Sequence, residues 1–150
     1  MDRLLILSCS QRKAAVPGCV PAIDRYDGPA FRVLRKYLRE DASFAPTVLI
    51  VSAKYGLIES SCRIPEYDCR MTATRAKELR PCILAAARRA LPARKWQEVA
   101  VCVGKHYRSA LDGVLSLLPD GSRVVFISGG QGLRLTRLRE WLRRNSIKSC

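Results

Sequence analysis

Short apolar stretches alternate with longer amphipathic segments along this chain. Four stretches are rich in β-branched residues and end in small or polar residues, as buried parallel strands do. They cover residues 4–7, 48–51, 99–103 and 124–127. Helical spacing of apolar positions predicts four helices, which begin near residue 27 and cover about 72–90, 107–117 and 133–144. This alternation predicts a three-layer α/β/α fold whose central, mostly parallel sheet has about four strands.

We expect one domain over residues 1–150. A few positions indicate where its helices begin or bend. Asp27 is placed to cap the first helix, and Pro29 suits that helix's first turn. Pro81 predicts a kink within the second helix. Residues 53–71 lack a clear period, and loops of such length in compact domains are more often functional than idle. This loop is therefore expected to form part of a site.

The four predicted strands all end in polar segments that carry a hydroxyl, a glycine or a base. These segments cover residues 8–13, 52–56, 104–107 and 128–132. Ligands of open α/β sheets bind outside the carboxyl ends of the strands. The recurrence of lysine and tyrosine at these ends therefore favours a shared ligand site over ordinary turns. The side chains expected there are Ser8, Ser10, Arg12, Lys13, Lys54, Tyr55, Lys105 and His106.

The last polar segment opens a helix rich in arginine. Backbone N–H groups at a glycine-rich helix start can hold a phosphate, and a basic helix can lie along a nucleic-acid backbone. The residues placed for these contacts are Gly130, Gln131, Arg134, Arg137 and Arg143. An ordinary solvated basic helix after a glycine turn has the same pattern, so both interpretations stay open.

The charge composition points to a polyanionic partner. The chain has 27 Lys and Arg residues against 13 Asp and Glu, a formal net charge of +14, and 20 of the 27 are arginine. Arginine binds phosphate with two parallel hydrogen bonds, so nucleic acid is the first partner to consider. A hydrophobic content of 48% excludes a disordered basic tail.

Membrane and metal-binding classes are not supported by the sequence. No apolar run approaches the ~20 residues of a membrane span, and residues 4–7 are too short for a signal-peptide core. We therefore expect a cytoplasmic protein without membrane contact or an obligate protein partner. The seven cysteines include no CxxC pair, which predicts reduced thiols and no metal or other cofactor. They stand at positions 9, 19, 62, 69, 82, 102 and 150.

Several motifs together resemble a known family. They are Ser8-Cys9-Ser10 with Lys13, Tyr26-Asp27-Gly28 before Phe31, and Ser52-Ala53-Lys54-Tyr55-Gly56-Leu57 with a later Tyr67-Asp68. This combination resembles a bacterial and phage domain family of unknown function, distantly related to the YaaA peroxide-stress DNA-binding proteins and, through them, to uracil-DNA glycosylases. The branch that it most resembles contains a phage-defence DNA glycosylase that removes α-glucosyl-hydroxymethylcytosine.

The resemblance implies an α/β/α fold of the uracil-DNA-glycosylase type that binds DNA in a basic cleft and excises a base. The substrate would be double-stranded phage DNA with glucosylated hydroxymethylcytosine, and the product would be an abasic site. The sequence departs from the uracil-DNA glycosylases that it resembles, because those enzymes carry a water-activating Asp just after the first strand. The corresponding segment here has no carboxylate, so the catalytic carboxylate must come from another segment.

Glycosidic hydrolysis passes through an oxocarbenium-like sugar, which a nearby carboxylate stabilises. Asp27 and Asp68 lie outside the predicted helices and belong to the resembling motifs, with Asp27 the first choice. A helix cap is an equal alternative for Asp27, and a salt bridge to an arginine is the alternative for Asp68. Lys54 would contact a phosphate, donate to the leaving base or form a Schiff base, and the phosphate role is preferred.

The remaining candidates are expected to contact the base. Tyr55 and Tyr67 are placed to stack on an extruded base, with core packing as the alternative, and Tyr26 joins them through its motif. His106 is a donor to base or phosphate, or a surface histidine. Two rival functions explain the same charge: a non-catalytic DNA-binding stress protein of the YaaA kind, and an enzyme acting on nucleotides or modified RNA.

Overall fold

The computed structural model describes residues 2–41 and 44–144, which fold into alternating strands and helices. The strands are β1 (Asp2–Ser8), β2 (Val20–Pro21), β3 (Thr47–Ser52), β4 (Gly56–Glu59), β5 (Arg63–Ile64), β6 (Trp96–Cys102) and β7 (Arg123–Phe126). The helices are α1 (Ala22–Arg25), α2 (Pro29–Glu40), α3 (Ala73–Ala90), α4 (Lys105–Ala110) and α5 (Gln131–Arg143). All four predicted strands are present, as β1, β3, β6 and β7.

The central sheet has five strands in the order β4-β3-β1-β6-β7. Strand β1 pairs in parallel with β3 and with β6, and β6 pairs in parallel with β7. Only the edge strand β4 runs antiparallel, against β3, among the described strands of this sheet. The middle strands are buried on both faces, which explains their continuous apolar runs. The predicted α/β class with a mostly parallel central sheet is confirmed, and the sheet has one strand more than expected.

The helices cover both faces of the sheet. The chain steps from β1 to β3 in one direction and from β3 to β6 and β7 in the other. Since such crossovers are right-handed, the two directions place their helices on opposite faces. Accordingly α2 packs against α5, and α3 packs against α4. The result is three layers, with α2 and α5 on one face and α3 and α4 on the other.

Two predicted helices differ in detail from the structure. Helix α2 begins at Pro29 with Gly28 as its N-cap residue and no side-chain cap, so the prediction that Asp27 caps this helix is wrong. The predicted helix over residues 107–117 is also wrong as a single element. Helix α4 ends at Ala110, and a separate 3-10 turn covers Leu115–Leu117. Gly113, with φ of 82°, separates the two because a helix cannot continue through that backbone conformation.

The long segment after β3 contains regular structure that the pattern did not predict. Gly56, with φ of 75°, turns the chain back so that β4 pairs with β3, and β5 pairs with β2 in a small antiparallel ribbon. Both are short, and β5 has only two residues, which is why no period revealed them. The expectation of a structureless loop over residues 53–71 is therefore corrected.

Six cysteines within the described residues are free thiols, and Cys150 lies outside those residues.

Helix α3 continues through Pro81 to its end and is capped at its start by the Thr72 hydroxyl, which accepts from the Arg75 N–H. None of the described helices is both long enough and apolar enough to cross a membrane.

Candidate functional site

The polar segments predicted to meet do lie at one edge of the sheet. Because β1, β3, β6 and β7 are parallel, their carboxyl ends share that edge. Hydrogen bonds join the segments directly: the Cys9 N–H donates to the Val51 carbonyl at 2.9 Å. The Gly104 N–H donates to the Ser8 hydroxyl at 3.4 Å. The first residues beyond the strands are thus held against one another.

A cavity of about 290 Å³ opens at this edge, and we name it the switch cavity. It lies where the chain reverses its direction across the sheet, between β1 and β6, which is where open α/β sheets bind ligands. Its walls combine hydroxyl, thiol, aromatic, amide and guanidinium groups. Its lining residues are Ser8, Cys9, Ser10, Gly28, Pro29, Ala30, Phe31, Cys102, Gln131, Arg134 and Leu135.

A second cavity, of about 270 Å³, lies next to the first, and we name it the Asp68 cavity. The two cavities share Cys9 and Ser10, which therefore form the ridge between them. The other walls of the Asp68 cavity are polar, with one carboxylate and two cations. They are Gln11, Lys13, Asp68, Cys69, Arg70, Met71 and Tyr107.

Cys9 is the centre of the ridge and is held on two sides. Its Sγ lies 3.1 Å from the Tyr107 hydroxyl and accepts from the Ala53 N–H at 3.4 Å. Burial raises the pKa of the Tyr107 hydroxyl, and the nearby Cys9 acts in the same direction. Tyr107 is therefore a neutral hydroxyl that can donate a hydrogen bond at any physiological pH.

Ser10 and Gly28 approach so closely that glycine is required. The Gly28 N–H donates to the Ser10 hydroxyl at 3.1 Å, and that hydroxyl donates to the Arg12 carbonyl at 2.6 Å. A Cβ at position 28 would lie only 2.6 Å from the Ser10 Cβ. This contact gives a physical reason for the glycine of the Tyr26-Asp27-Gly28 motif, because the motif fixes the ridge beside the switch cavity.

Asp27 is held by three arginines. Its carboxylate lies 2.6 Å from Arg35, 2.9 Å from Arg32 and 3.5 Å from Arg12. Hydrogen bonds from Arg32, ahead of the opposing effect of burial, lower the pKa of Asp27 to about 2. Asp27 is not a wall residue of either cavity, and Arg35 also donates to the Ile23 and Tyr26 carbonyls. The carboxylate thus fixes the segment before α2.

Asp68 is in the opposite situation. It is an exposed wall residue of the Asp68 cavity, together with Lys13. No ion pair of Asp68 occurs within residues 2–41 and 44–144, so the salt bridge considered as its alternative role is not found there. Of the two sequence candidates, Asp68 is the carboxylate that faces a space a ligand can enter.

Tyr26, Ser52 and Tyr67 form a hydroxyl cluster behind the site. The Tyr26 hydroxyl forms a hydrogen bond with the Tyr67 hydroxyl and donates one to the Ser52 hydroxyl at 3.2 Å. The Ser52 hydroxyl also lies 3.0 Å from the Tyr67 hydroxyl. Burial raises the pKa of Tyr26 to about 12 and also raises that of Tyr67. Tyr26 is fully buried, so the expectation that it contacts a substrate is wrong. It packs against Phe31 and supports the edge from below.

The segment after β3 is fixed by this cluster. The Lys54 and Tyr55 N–H groups donate to the Ser52 hydroxyl at 3.2 and 3.0 Å. The Tyr55 ring meets Tyr67 edge to face at 5.3 Å between centroids. Lys13 lies 4.4 Å and Lys54 5.5 Å from the centre of the Tyr67 ring, so ammonium groups occupy the region where a stacked base was expected.

The remaining predicted residues divide between the cavity and the surface. Gln131 and Arg134 are walls of the switch cavity, and Gly130 caps α5. Arg137 donates to the Ser128 carbonyl at 2.8 Å. Exposed positions close to the sheet edge are occupied by Arg12, Lys105 and His106. Arg143 lies farther along α5, 3.9 Å from Glu40.

The sequence pattern assigns no site role to several residues that build the site. Cys9 lies in the Ser8-Cys9-Ser10 motif, Cys102 lies in a predicted strand, and Tyr107 begins a predicted helix. Burial raises the pKa of the Cys102 thiol, while neighbouring Arg134 opposes the shift. Arg75 donates to the Ala53 and Lys54 carbonyls at 2.8 and 3.1 Å, a contact between distant segments that no local pattern indicates.

Within the described part of the chain, no three His, Cys, Asp or Glu side chains are grouped so that they could hold a metal ion. The groups that the site offers are hydroxyls, thiols, ammonium and guanidinium groups, and the Asp68 carboxylate. These groups suit proton transfer and the binding of polar or anionic organic groups.

The model of a family of unknown function, DUF6884, matches residues 4–143, so the chain belongs to that family. Among solved structures, the crystal structure of AF0587, a protein of unknown function, is similar with a TM-score of 0.52 and 16% identity. The match covers 94% of this chain and 44% of AF0587, so this chain spans less than half of that protein. Such a likeness shows the fold alone. No curated protein matches the chain.

Proposed function

We propose that this protein is a DNA glycosylase that removes glucosylated hydroxymethylcytosine from phage DNA and leaves abasic sites. The observation that carries the proposal is the pair of cavities on either side of Cys9 and Ser10. One cavity has donors for a base, and the other has a carboxylate without an ion pair among the described residues. An enzyme that acts on a duplex base must extrude it into such a pocket.

The switch cavity is the proposed base pocket. Its volume of about 290 Å³ and its opening toward solvent leave space for a pyrimidine with an appended sugar. Gln131 has both a donor and an acceptor for the edge of the base, and Arg134 has donors for a carbonyl oxygen. Phe31 and Pro29 supply apolar surface. The uracil-DNA-glycosylase type of fold and a cytoplasmic location belong to this proposal.

Asp68 is the proposed catalytic carboxylate. Water forms a bond to the anomeric carbon of the deoxyribose as the bond to the base nitrogen breaks, and the electron pair leaves with the base. The Asp68 carboxylate stabilises the cationic sugar and accepts the proton of the water, and the leaving nitrogen then gains a proton. Gln131 and Arg134, which line the base pocket, are donors toward the departing base, and Lys13 and the Tyr107 hydroxyl line the same cavity as Asp68. Asp27 positions the ridge through Arg12, Arg32 and Arg35.

The basic residues around the edge supply affinity for the DNA backbone. Lys54 and Lys105 are exposed at the ends of β3 and β6, and Arg12 is exposed after β1. Contacts of this kind bind phosphates without regard to base sequence, and they weaken as the salt concentration rises because counterion release then gains less entropy. The base pocket, rather than the backbone contacts, would then select the modified nucleotide.

Abasic-site formation tests the proposal. The protein is incubated with unmodified DNA and with phage DNA that contains glucosylated hydroxymethylcytosine, and alkali then cleaves any abasic sites. We expect fragmentation of the modified DNA only. If the modified DNA stays intact after alkali although the protein still binds DNA, the glycosylase proposal is abandoned in favour of a non-catalytic DNA-binding protein.

The second candidate is a non-catalytic DNA-binding protein of the YaaA kind. One observation favours it: the carboxylate of the Tyr26-Asp27-Gly28 motif is already neutralised by three arginines. A site whose only available carboxylate is exposed could serve for binding alone. This candidate predicts equal affinity for modified and unmodified DNA and no release of base from either.

A further inference from the structure

Helices α2 and α5 enclose a basic groove on one face of the sheet, which we name the α2–α5 groove. Its volume is about 360 Å³. The charged residues that line it are Arg32, Lys36, Glu40, Arg139 and Arg143. Four cations and one carboxylate give a formal lining charge of 4 − 1 = +3. An anionic ligand is therefore favoured.

The charged side chains follow the direction of the groove. Arg32 and Lys36 are four residues apart on α2, and Arg139 and Arg143 are four apart on α5. Such residues share one helix face and are separated by about 6 Å along the axis. Both helices begin at the carboxyl edge of the sheet, so the cations extend away from that edge in two facing rows.

The groove lies next to the switch cavity. Pro29 and Leu135 line both spaces, one residue from each helix. The phosphates that flank a nucleotide in the switch cavity would therefore lie beside the groove. This position places the proposed base pocket next to a row of cations that the chemistry of base release does not use.

Existing ion pairs leave three of the four groove cations available, because only Arg32 is held closely, by Asp27 at 2.9 Å. Glu40 lies 4.0 Å from Lys36 and 3.9 Å from Arg143, so one exposed carboxylate serves two cations at long distance. Such pairs contribute little and exchange readily. Arg139 has no ion pair within the part of the chain that the structure describes. A phosphate can approach these groups without displacing a buried interaction.

We propose that the α2–α5 groove binds the phosphodiester backbone of the single DNA strand whose base occupies the switch cavity. Packed helices are about 8–10 Å apart, so a groove between them admits one strand rather than a duplex. Its cations contact the phosphates that flank the extruded nucleotide. The inference rests on the proposed function for the presence of a base in the switch cavity.

Salt-dependent binding of a short single-stranded DNA, measured by fluorescence anisotropy between 50 and 200 mM NaCl, tests the groove. The groove variant is Lys36→Gln with Arg139→Gln. The control is Arg88→Gln with Arg89→Gln, an exposed pair in the last turn of α3 on the other face, with the same change in charge. We expect the groove variant to bind roughly tenfold or more weakly, with a log–log salt slope shallower by about 1.4, and the control to match the parent.

Each alternative result has a definite meaning. Equal losses in the groove variant and the control would overturn the proposal, because general charge would then explain the affinity. A polyglutamate peptide is the test for an acidic protein partner. If it binds the parent as tightly as DNA does, and if the groove variant lowers both affinities equally, the proposal is overturned in favour of such a partner. If the parent releases no base but the loss is confined to the groove variant, the groove is upheld and the glycosylase proposal fails.

Discussion

Two carboxylates near the same edge of the sheet have opposite environments. Asp27 contacts three arginines, and its pKa is lowered to about 2. Asp68 is exposed on the wall of a cavity, with no ion pair among the described residues. Both belong to motifs that the sequence singles out, and both directly follow a tyrosine. Their neighbours, rather than their motifs, distinguish them.

The contrast indicates which of the two can take part in a reaction. A carboxylate whose oxygens already accept from several guanidinium groups stabilises those cations and has little capacity left for a developing positive charge. A carboxylate that faces an open space can stabilise a cationic sugar and accept a proton from water. In the proposed glycosylase, Asp27 therefore has a structural role and Asp68 is the candidate for catalysis.

The largest effect is expected at Asp68. Asp68→Asn keeps the shape of the side chain and removes its charge, so single-turnover base release should fall by roughly 10²–10³-fold. DNA affinity and melting temperature should stay at the parent values because the residue is exposed. The matched control is Glu66→Gln, an exposed carboxylate two residues earlier. Equal rates for the two variants would remove Asp68 from the mechanism.

The next effect concerns the ridge between the cavities. Gly28→Ala places a Cβ within 2.6 Å of the Ser10 Cβ, and this overlap should cost about 2–3 kcal/mol of unfolding free energy. Chemical denaturation measures that cost. Adding Ser10→Gly removes the clashing atom, so the double variant should recover most of the stability. A double variant no more stable than Gly28→Ala would show that the close approach is not the cause.

A smaller loss is expected at Ser52. Ser52→Ala leaves the Lys54 and Tyr55 N–H groups and the Tyr26 hydroxyl without this acceptor. The unfolding free energy should fall by about 1–2 kcal/mol. The control is Ser122→Ala, which removes a buried hydroxyl that has no partner among the described residues. That control should be neutral or stabilising, and an equal loss in both variants would contradict the role given to Ser52.

The smallest effect is a pH dependence at Asp27. Its pKa falls from the ordinary 3.8 to about 2 in the folded state, so the stability that it contributes is present above about pH 4. That contribution is lost as the pH falls toward 2. Asp27→Asn should therefore melt below the parent at pH 6, and the difference should shrink between pH 4 and pH 2. A difference independent of pH would exclude the ion pairs as its source.

The sequence predicted the sheet and its ligand-binding edge for a simple reason. The runs that became β1, β3, β6 and β7 are buried on both faces, so their apolar residues are continuous and easily recognised. Parallel strands then bring their carboxyl ends together by topology alone. The positions of Ser8, Ser10 and Gln131 around one cavity follow from that arrangement.

The roles of individual side chains could not be predicted in the same way. Tyr26 is fully buried and Tyr67 is covered by Lys13, yet both look like exposed motif residues in the sequence. Arg32 and Arg35, two of the partners of Asp27, lie five and eight residues after it, and the third, Arg12, comes from the segment that follows β1. These environments depend on side-chain contacts, several of them between segments distant in the chain, which neither propensity nor period encodes.

The proposed reaction breaks the bond between deoxyribose and a glucosylated base. Mass spectrometry of the small molecules released from glucosylated phage DNA under single-turnover conditions tests it most directly. We expect free glucosylated hydroxymethylcytosine from the parent protein and from Glu66→Gln, with far less from Asp68→Asn. Release of glucose alone, of a nucleotide, or of nothing from the parent protein would contradict it.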